Sequence, residues 1–324
     1  MLDKLVTYSI VIPIFNEAAT LPELWRQLKA VIDELNDTCE VIFIDDGSND
    51  DSYDRLLLLH QAHPEVRLIR LSRNFGHQPA LTAGIEKATG KAVILMDGDL
   101  QDSPQAIAQF IAKWQQGYDV VYAVREKRKE IWLKRLAFVG FYRLLNFLSG
   151  MKLPIDAGIF SLMDRQVVVA LCQMPERNRY LSGLRAYAGF KQTGVVVERG
   201  SRYHGQPKVT LSKLCKLAFD GIFSFSTIPL KIATIFGLIS AIVSFVIGLS
   251  GLYVKFVLGK VLLSWAYGLT TTFFMGGVQL IFLGIIGEYI ARIYDEVKQR
   301  PYYLIRETQG FHNLEHQKRE KISL

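Results

Sequence analysis

Cysteine is scarce. Cys39, Cys172 and Cys215 are the three in 324 residues, too few and too far apart for a disulfide framework or a thiolate metal site. They are expected to be reduced, mostly packed thiols, as fits a cytosolic catalytic face. The histidines His60, His63, His77 and His204 share no ligand spacing. No apolar segment with a small-residue cleavage site follows Met1, so no signal peptide is expected. A local lack of charge is more informative. Between Lys231 and Lys255 lie 23 uncharged residues, and between Lys260 and Glu288 another 27. At about 1.5 Å per residue these make helices of roughly 34 Å and 40 Å, against a hydrocarbon core of about 30 Å. Two membrane spans, about 232–254 and 264–287, are expected in preference to buried soluble helices. Gly248, Gly251, Gly276, Gly277, Gly284 and Gly287 would let such helices approach closely.

The net charge is +7. Its basic residues gather beside the apolar segments, which favours a membrane surface over nucleic acid as partner. Lys208, Lys213, Lys216 and Lys231 precede the first span, and Arg292, Lys298 and Arg300 follow the second. The connecting loop holds only Lys255 and Lys260. The positive-inside rule then puts both termini in the cytoplasm. Residues 209–226 place Leu211, Leu214, Cys215, Ala218, Phe219 and Ile222 on one helical face, as an amphipathic helix in the headgroup plane would. Residues 299–324 read as a polar, loosely ordered cytoplasmic tail.

Residues 1–208 alternate apolar runs with helical patterns. Strands are expected at Ser9–Pro13, Val41–Ile44, Val66–Leu71, Ala92–Met96, Val120–Ala123, Asp156–Leu162 and Gly194–Val197. Helices are expected at about 21–34, 51–60 and 79–88, and after Ser103-Pro104, with Thr20-Leu21-Pro22-Glu23 as a capping box for the first. This order predicts an α/β domain with a mostly parallel sheet and right-handed crossovers. Two strands run straight into acids: Asp45-Asp46-Gly47-Ser48 after the second, and Asp97-Gly98-Asp99-Leu100-Gln101 after the fourth. Carboxylates at the carboxyl edge of an open sheet occupy the ligand-binding edge. Their hard oxygens suit Mg²⁺ or Mn²⁺, although Asp and Gly also make ordinary solvated turns. Arg199-Gly200-Ser201-Arg202-Tyr203-His204-Gly205-Gln206-Pro207-Lys208 has the composition of a phosphate-wrapping loop or of a basic linker. His77 is read as loop packing or a ribose contact rather than a metal ligand.

Four motifs together resemble the polyisoprenyl-phosphate glycosyltransferases of family 2, a group that includes bactoprenol glucosyltransferases and dolichyl-phosphate mannose and glucose synthases. They are Val11-Ile12-Pro13-Ile14-Phe15-Asn16-Glu17, Asn74-Phe75-Gly76-His77-Gln78, Asp97-Gly98-Asp99-Leu100-Gln101-Asp102, and Arg199…Arg202…Gly205…Lys208 followed by two spans. The likeness runs over about residues 5–300. Gly98, where Ala is frequent, and Gln206, where Ser is common, depart from the pattern.

The resemblance implies a GT-A, Rossmann-like catalytic domain, then the interfacial helix and the two spans. It implies that Pro13, Phe15 and Glu17 line the nucleotide site, with Asp45 or Asp46 accepting from uracil. Asp97 would reach the sugar, ribose and diphosphate side, while Asp99 and Gln101 would hold Mg²⁺ or Mn²⁺. Asp156 falls on the acceptor side, as base or as positioning group, and Arg125, Arg199, Arg202 and Lys208 are candidates for gripping phosphates. The expected reaction is inverting transfer of one sugar, glucose from UDP-glucose, to undecaprenyl or dolichyl phosphate. Mannose or aminoarabinose transfer, a processive polysaccharide synthase and a nucleotide-sugar-binding scaffold are the alternatives. A processive synthase should carry a Gln-x-x-Arg-Trp element and more spans, and neither is present. The remaining expectations are an integral protein of a bacterial inner membrane, a homo-oligomer such as a tetramer, a flippase partner, and no nucleic acid.

Overall fold

In the computed structural model, the apolar run Tyr8–Ile14 is strand β1, buried along its whole length. Such a strand, covered on both faces, needs no polar alternation. The structure describes residues 6–35, 37–125, 157–174, 176–177, 179–197, 227–257 and 265–311. These fall into two units, one drawn from 6–125, 157–197 and 300–311, the other from 227–257 and 265–299.

In the first unit β1 is followed by α1 (Leu21–Glu34), β2 (Cys39–Asp45), α2 (Ser52–Ala62), β3 (Val66–Leu71), α3 (His77–Lys87) and β4 (Ala92–Leu95). Then come α4 (Ala106–Gln115), β5 (Val120–Arg125), β6 (Ala157–Asp164), α5 (Arg165–Cys172), α6 (Leu181–Tyr187) and β7 (Gln192–Val197). A last strand, β8 (Ile305–Gln309), joins from the far end of the chain. α1 buries Leu21, Leu24, Trp25, Leu28, Val31 and Ile32, the single stripe expected of a helix lying on a sheet. Ile10, Ile12 and Ile14 share that core with Phe43, Ile107 and Phe110. Burying each such side chain stabilises by about 1.5–3 kcal/mol.

The sheet runs β7-β5-β6-β4-β1-β2-β3-β8. Among the described residues four pairings are parallel and three antiparallel, so the sheet is mixed. β6 lies between β4 and β5 and opposes both. β1 sits between β2 and β4, and the connections that leave β1 (to β2) and β4 (to β5) go to opposite sides. That switch point opens a crevice at the carboxyl ends of β1 and β4.

Two expectations are corrected here. Thr20 does not cap α1 with its side chain; its hydroxyl donates to Glu17 Oε2 at 2.8 Å instead. The segment after Arg300 is not a loose tail throughout. Ile305–Gln309 pairs antiparallel with β3, since the open edge of β3 supplies backbone partners for it. The helices Arg165–Cys172 and Leu181–Tyr187 add to the expected elements.

The second unit consists of α7 (Ile228–Phe256) and α8 (Trp265–Val297). Stretches of 23 residues (Ile228–Ser250) and 27 residues (Thr271–Val297) within them are long and apolar enough to cross a membrane. Phe245, Ile247, Phe273 and Leu280 are each more than 60% exposed, so the described residues do not cover them as a soluble core would. The expected amphipathic helix at 209–226 lies outside the described residues.

Candidate active site

A cleft of about 280 Å³ opens at the switch point. Pro13, Ile14, Phe15 and Glu17 line it from β1 and the loop after it, and Asp97, Gly98 and Asp99 from the loop after β4. Asp46 completes it from the loop after β2, with Asn74, Gly76 and His77 from the β3–α3 connection.

The loops are tied together mainly by side chains that accept from backbone N–H groups. Asp46 accepts from the backbone N–H groups of Phe75 at 2.8 Å and Gly76 at 2.9 Å, and its own N–H donates to Ile14 O at 2.9 Å. Burial raises the Asp46 carboxyl pKa; the two backbone donors only partly offset this, and neighbouring Asp45 adds to the rise. Asp45 Oδ1 accepts from Ser48 N at 3.1 Å, closing the turn. Gly47 holds that turn at φ +69, and a Cβ there would lie 2.5 Å from the backbone carbon of Arg73, so only glycine fits. Ser48 Oγ accepts from Asn16 N at 3.0 Å, and Asn16 Oδ1 accepts from Asn49 N at 2.8 Å.

His77 begins α3, and its Nε2 lies 2.7 Å from Asp97 Oδ1. Burial works against the imidazolium, but the Asp97 bond and the charges of Asp97, Asp46 and Asp99 outweigh it, so the His77 pKa is raised. Asp99 Oδ1 accepts from Gln101 N at 3.1 Å. This fold-back puts Leu100 in the left-handed region, at φ 57, where non-glycine residues are uncommon. Phe15, 41% exposed, offers an aromatic face at the lip of the cleft.

The structure therefore brings together Pro13, Phe15, Glu17, Asp46, Asp97 and Asp99. It does not bring Asp45, which is fully buried, or Gln101, which is 8% exposed, to the lining. Arg125 closes β5, where its backbone pairs with Val197. Asp156, Arg199, Arg202 and Lys208 lie outside the described residues. The His77–Asp97 bond was not legible in the sequence; the only hint was the position of His77 in a loop leaving a strand toward the same sheet edge.

Among the described residues no three His, Cys, Asp or Glu side chains cluster as a protein-only metal cage. A pair of cleft carboxylates does fit Mg²⁺ or Mn²⁺, which typically take one or two carboxylates and complete their shell with substrate phosphates and water.

Residues 9–171 match the family described as "Glycosyl transferase family 2". The chain belongs to glycosyltransferase family 2. Its relatives within that family match along almost their whole length. The chain is 39% identical to the prophage bactoprenol glucosyl transferase homolog of Escherichia coli K12, over 92% of this chain and 98% of that one. It is 40% identical to the bactoprenol glucosyl transferase of Shigella phage SfX, again over 92% and 98%. A glycosyltransferase of Synechocystis is 42% identical over 95% of this chain and 98% of its own. Among solved structures, glucosyl-3-phosphoglycerate synthase from Mycobacterium tuberculosis is a remote match, at 18% identity and a TM-score of 0.49, covering 67% of this chain and 78% of that one.

Proposed function

We propose that this family-2 glycosyltransferase moves one glucose from UDP-glucose to a polyprenyl phosphate, inverting the anomeric carbon. The observation that carries the reading is the 39–40% identity to bactoprenol glucosyl transferases over 92% of the chain, a span that includes both apolar helices.

The acceptor's chemistry explains what the cleft contains. A phosphate monoester is already largely anionic at pH 7, its second pKa being about 6, so no strong general base is needed. The demand is instead to fix the donor and to neutralise the departing diphosphate. Phe15 offers its face to the base, and Asp46, held by Phe75 and Gly76, accepts from the base edge. Asp97, oriented by His77, accepts from a sugar or ribose hydroxyl, leaving Asp99 as the carboxylate for a divalent cation. That cation, when bound, would offset charge on the leaving diphosphate. Attack by a phosphate oxygen from the opposite face then inverts the centre. Asp156, Arg125, Arg199, Arg202 and Lys208 are assigned to the acceptor and its phosphate on the resemblance alone.

Connectivity supports a two-span topology. After α8 the chain returns to supply β8 of the same sheet that holds the cleft. An even number of crossings between β7 and β8 satisfies this, and the basic flanks favour a cytoplasmic catalytic unit with both termini on that side. We further propose a homo-oligomer; a monomeric mass in mild detergent would count against it.

A panel of radiolabelled nucleotide-sugars with undecaprenyl phosphate and Mg²⁺ tests the donor. UDP-glucose should give the most organic-phase label. A different sugar in first place would replace glucose in this reading, and no lipid-soluble product from any donor would overturn transfer itself.

A further inference from the structure

The C-terminal strand reaches back toward the donor cleft through one arginine. Arg70 of β3 and Glu307 of β8 are register partners, and Arg70 Nη1 lies 3.2 Å from Glu307 Oε1. Alone, that would be an ordinary cross-strand pair at a sheet edge. A third group sets it apart. Arg70 Nε lies 3.5 Å from Asp45 Oδ2, an oxygen that is buried and makes no hydrogen bond of its own. An unpaired buried carboxylate oxygen is costly, and an approaching guanidinium offsets that cost.

Arg70 is itself fixed. Its guanidinium lies over the Tyr53 ring at 4.1 Å, and Tyr53 lies beside Glu307. Burial, with Glu307 beside it, pushes the Tyr53 hydroxyl up to about 12, so it stays protonated. Asp45 in turn closes the turn that carries Asp46 into the cleft, through Ser48 N. The path from Glu307 to the cleft thus passes through Arg70, Asp45 and Asp46, each a neighbour of the next.

We infer that Glu307 and Arg70 are positioning residues for donor binding, so that the strand following the second apolar helix is a working part of the nucleotide site. The inference rests on the donor reading above and deepens it. Glu307 restrains Arg70, Arg70 holds Asp45, and the Asp45–Ser48 turn keeps Asp46 where the base is read. Without Glu307, Arg70 can leave Asp45, and the turn loses its charge partner.

The test uses the full chain in detergent, with UDP and Mn²⁺ as probe. Titration calorimetry without lipid gives Kd, and steady-state assays give separate KM values for donor and acceptor. Glu307→Ala should weaken UDP binding and raise the donor KM by about fivefold to tenfold, the scale of one lost charge-assisted hydrogen bond. The acceptor KM should stay within about twofold on the same scale. Glu307→Gln, which retains an acceptor oxygen, should recover most of the loss. Adding Glu307→Ala to Arg70→Met should cost nothing beyond Arg70→Met, because both act on one path. Glu307→Ala binding UDP as wild type does would overturn the inference, as would donor and acceptor KM rising together. If Glu307→Ala fails to fold, Arg70→Met alone carries the test: unchanged UDP binding and donor KM in that variant overturn the inference. A wild-type chain that binds no UDP would instead overturn the donor reading, and the inference with it.

Discussion

His77 Nε2 stands 2.7 Å from Asp97 Oδ1, joining the first residue of α3 to the first acid after β4. The bond spans 20 residues of sequence and helps to orient the Asp97 carboxylate at the mouth of the cleft. Positioning of this kind lowers the entropy lost when substrate binds.

Removing the imidazole tests that role. His77→Ala is expected to lower kcat/KM for the donor about tenfold, the equivalent of about 1.4 kcal/mol from one charge-assisted hydrogen bond. His77→Gln, which keeps a donor, should recover much of it. Steady-state kinetics on both variants, with melting temperatures as a folding check, decide the matter. Wild-type kinetics in His77→Ala would show that the orientation of Asp97 does not depend on His77.

Gly98 is a packing residue as much as a turn residue. A Cβ there would fall 2.6 Å from Ile14 Cδ1 and 3.2 Å from Pro13 O. Ile14 is fully buried, but the clashing atom is the far end of its side chain. Gly98→Ala should therefore destabilise by no more than about 1.5 kcal/mol, the end of the Ile14 side chain giving way, and Ile14→Val should relieve it. A double-mutant cycle by thermal unfolding checks the coupling; strictly additive effects would place the strain elsewhere.

The sequence made the cleft legible where burial and chemistry act locally. The runs ending at Asp45 and Asp97 are apolar because both faces of β2 and β4 are covered, and their carboxylates follow at once. It did not separate Asp46, which lines the cleft, from Asp45, which lies beneath it, because adjacent residues of a turn differ only in three dimensions. The resemblance made Gln101 a ligand beside Asp99, but the chain reverses at Leu100 and Gln101 is not in the lining. β8 was missed because Ile305–Gln309 is short and polar, and its contact with Arg70 closes a separation of 237 residues. The antiparallel insertion of β6 was hidden for a related reason: alternation of strands and helices fixes connection type only where crossovers are short.

Cys39 is expected to be inert. Burial, with Glu40 and Glu65 nearby, pushes its thiol up to about 12. The raised pKa keeps it protonated at pH 8, and the reactive thiolate accumulates only as the pH approaches that value. Peptide mapping after brief alkylation at pH 8 should find the exposed Cys172 modified before Cys39. Equal labelling in the folded protein would contradict the burial argument.

Mass spectrometry of the lipid extract is the most direct test of the central claim, single transfer supported by the Asp97–Asp99 cleft. The full chain, given UDP-glucose, undecaprenyl phosphate and Mg²⁺, should yield undecaprenyl phosphate carrying one hexose. That product should vanish with a chelator and fall by at least about a hundredfold in Asp99→Asn, the scale set by losing electrostatic stabilisation of the leaving group. A ladder of several hexoses, no lipid-linked sugar, or an Asp99→Asn variant as active as wild type would contradict the account.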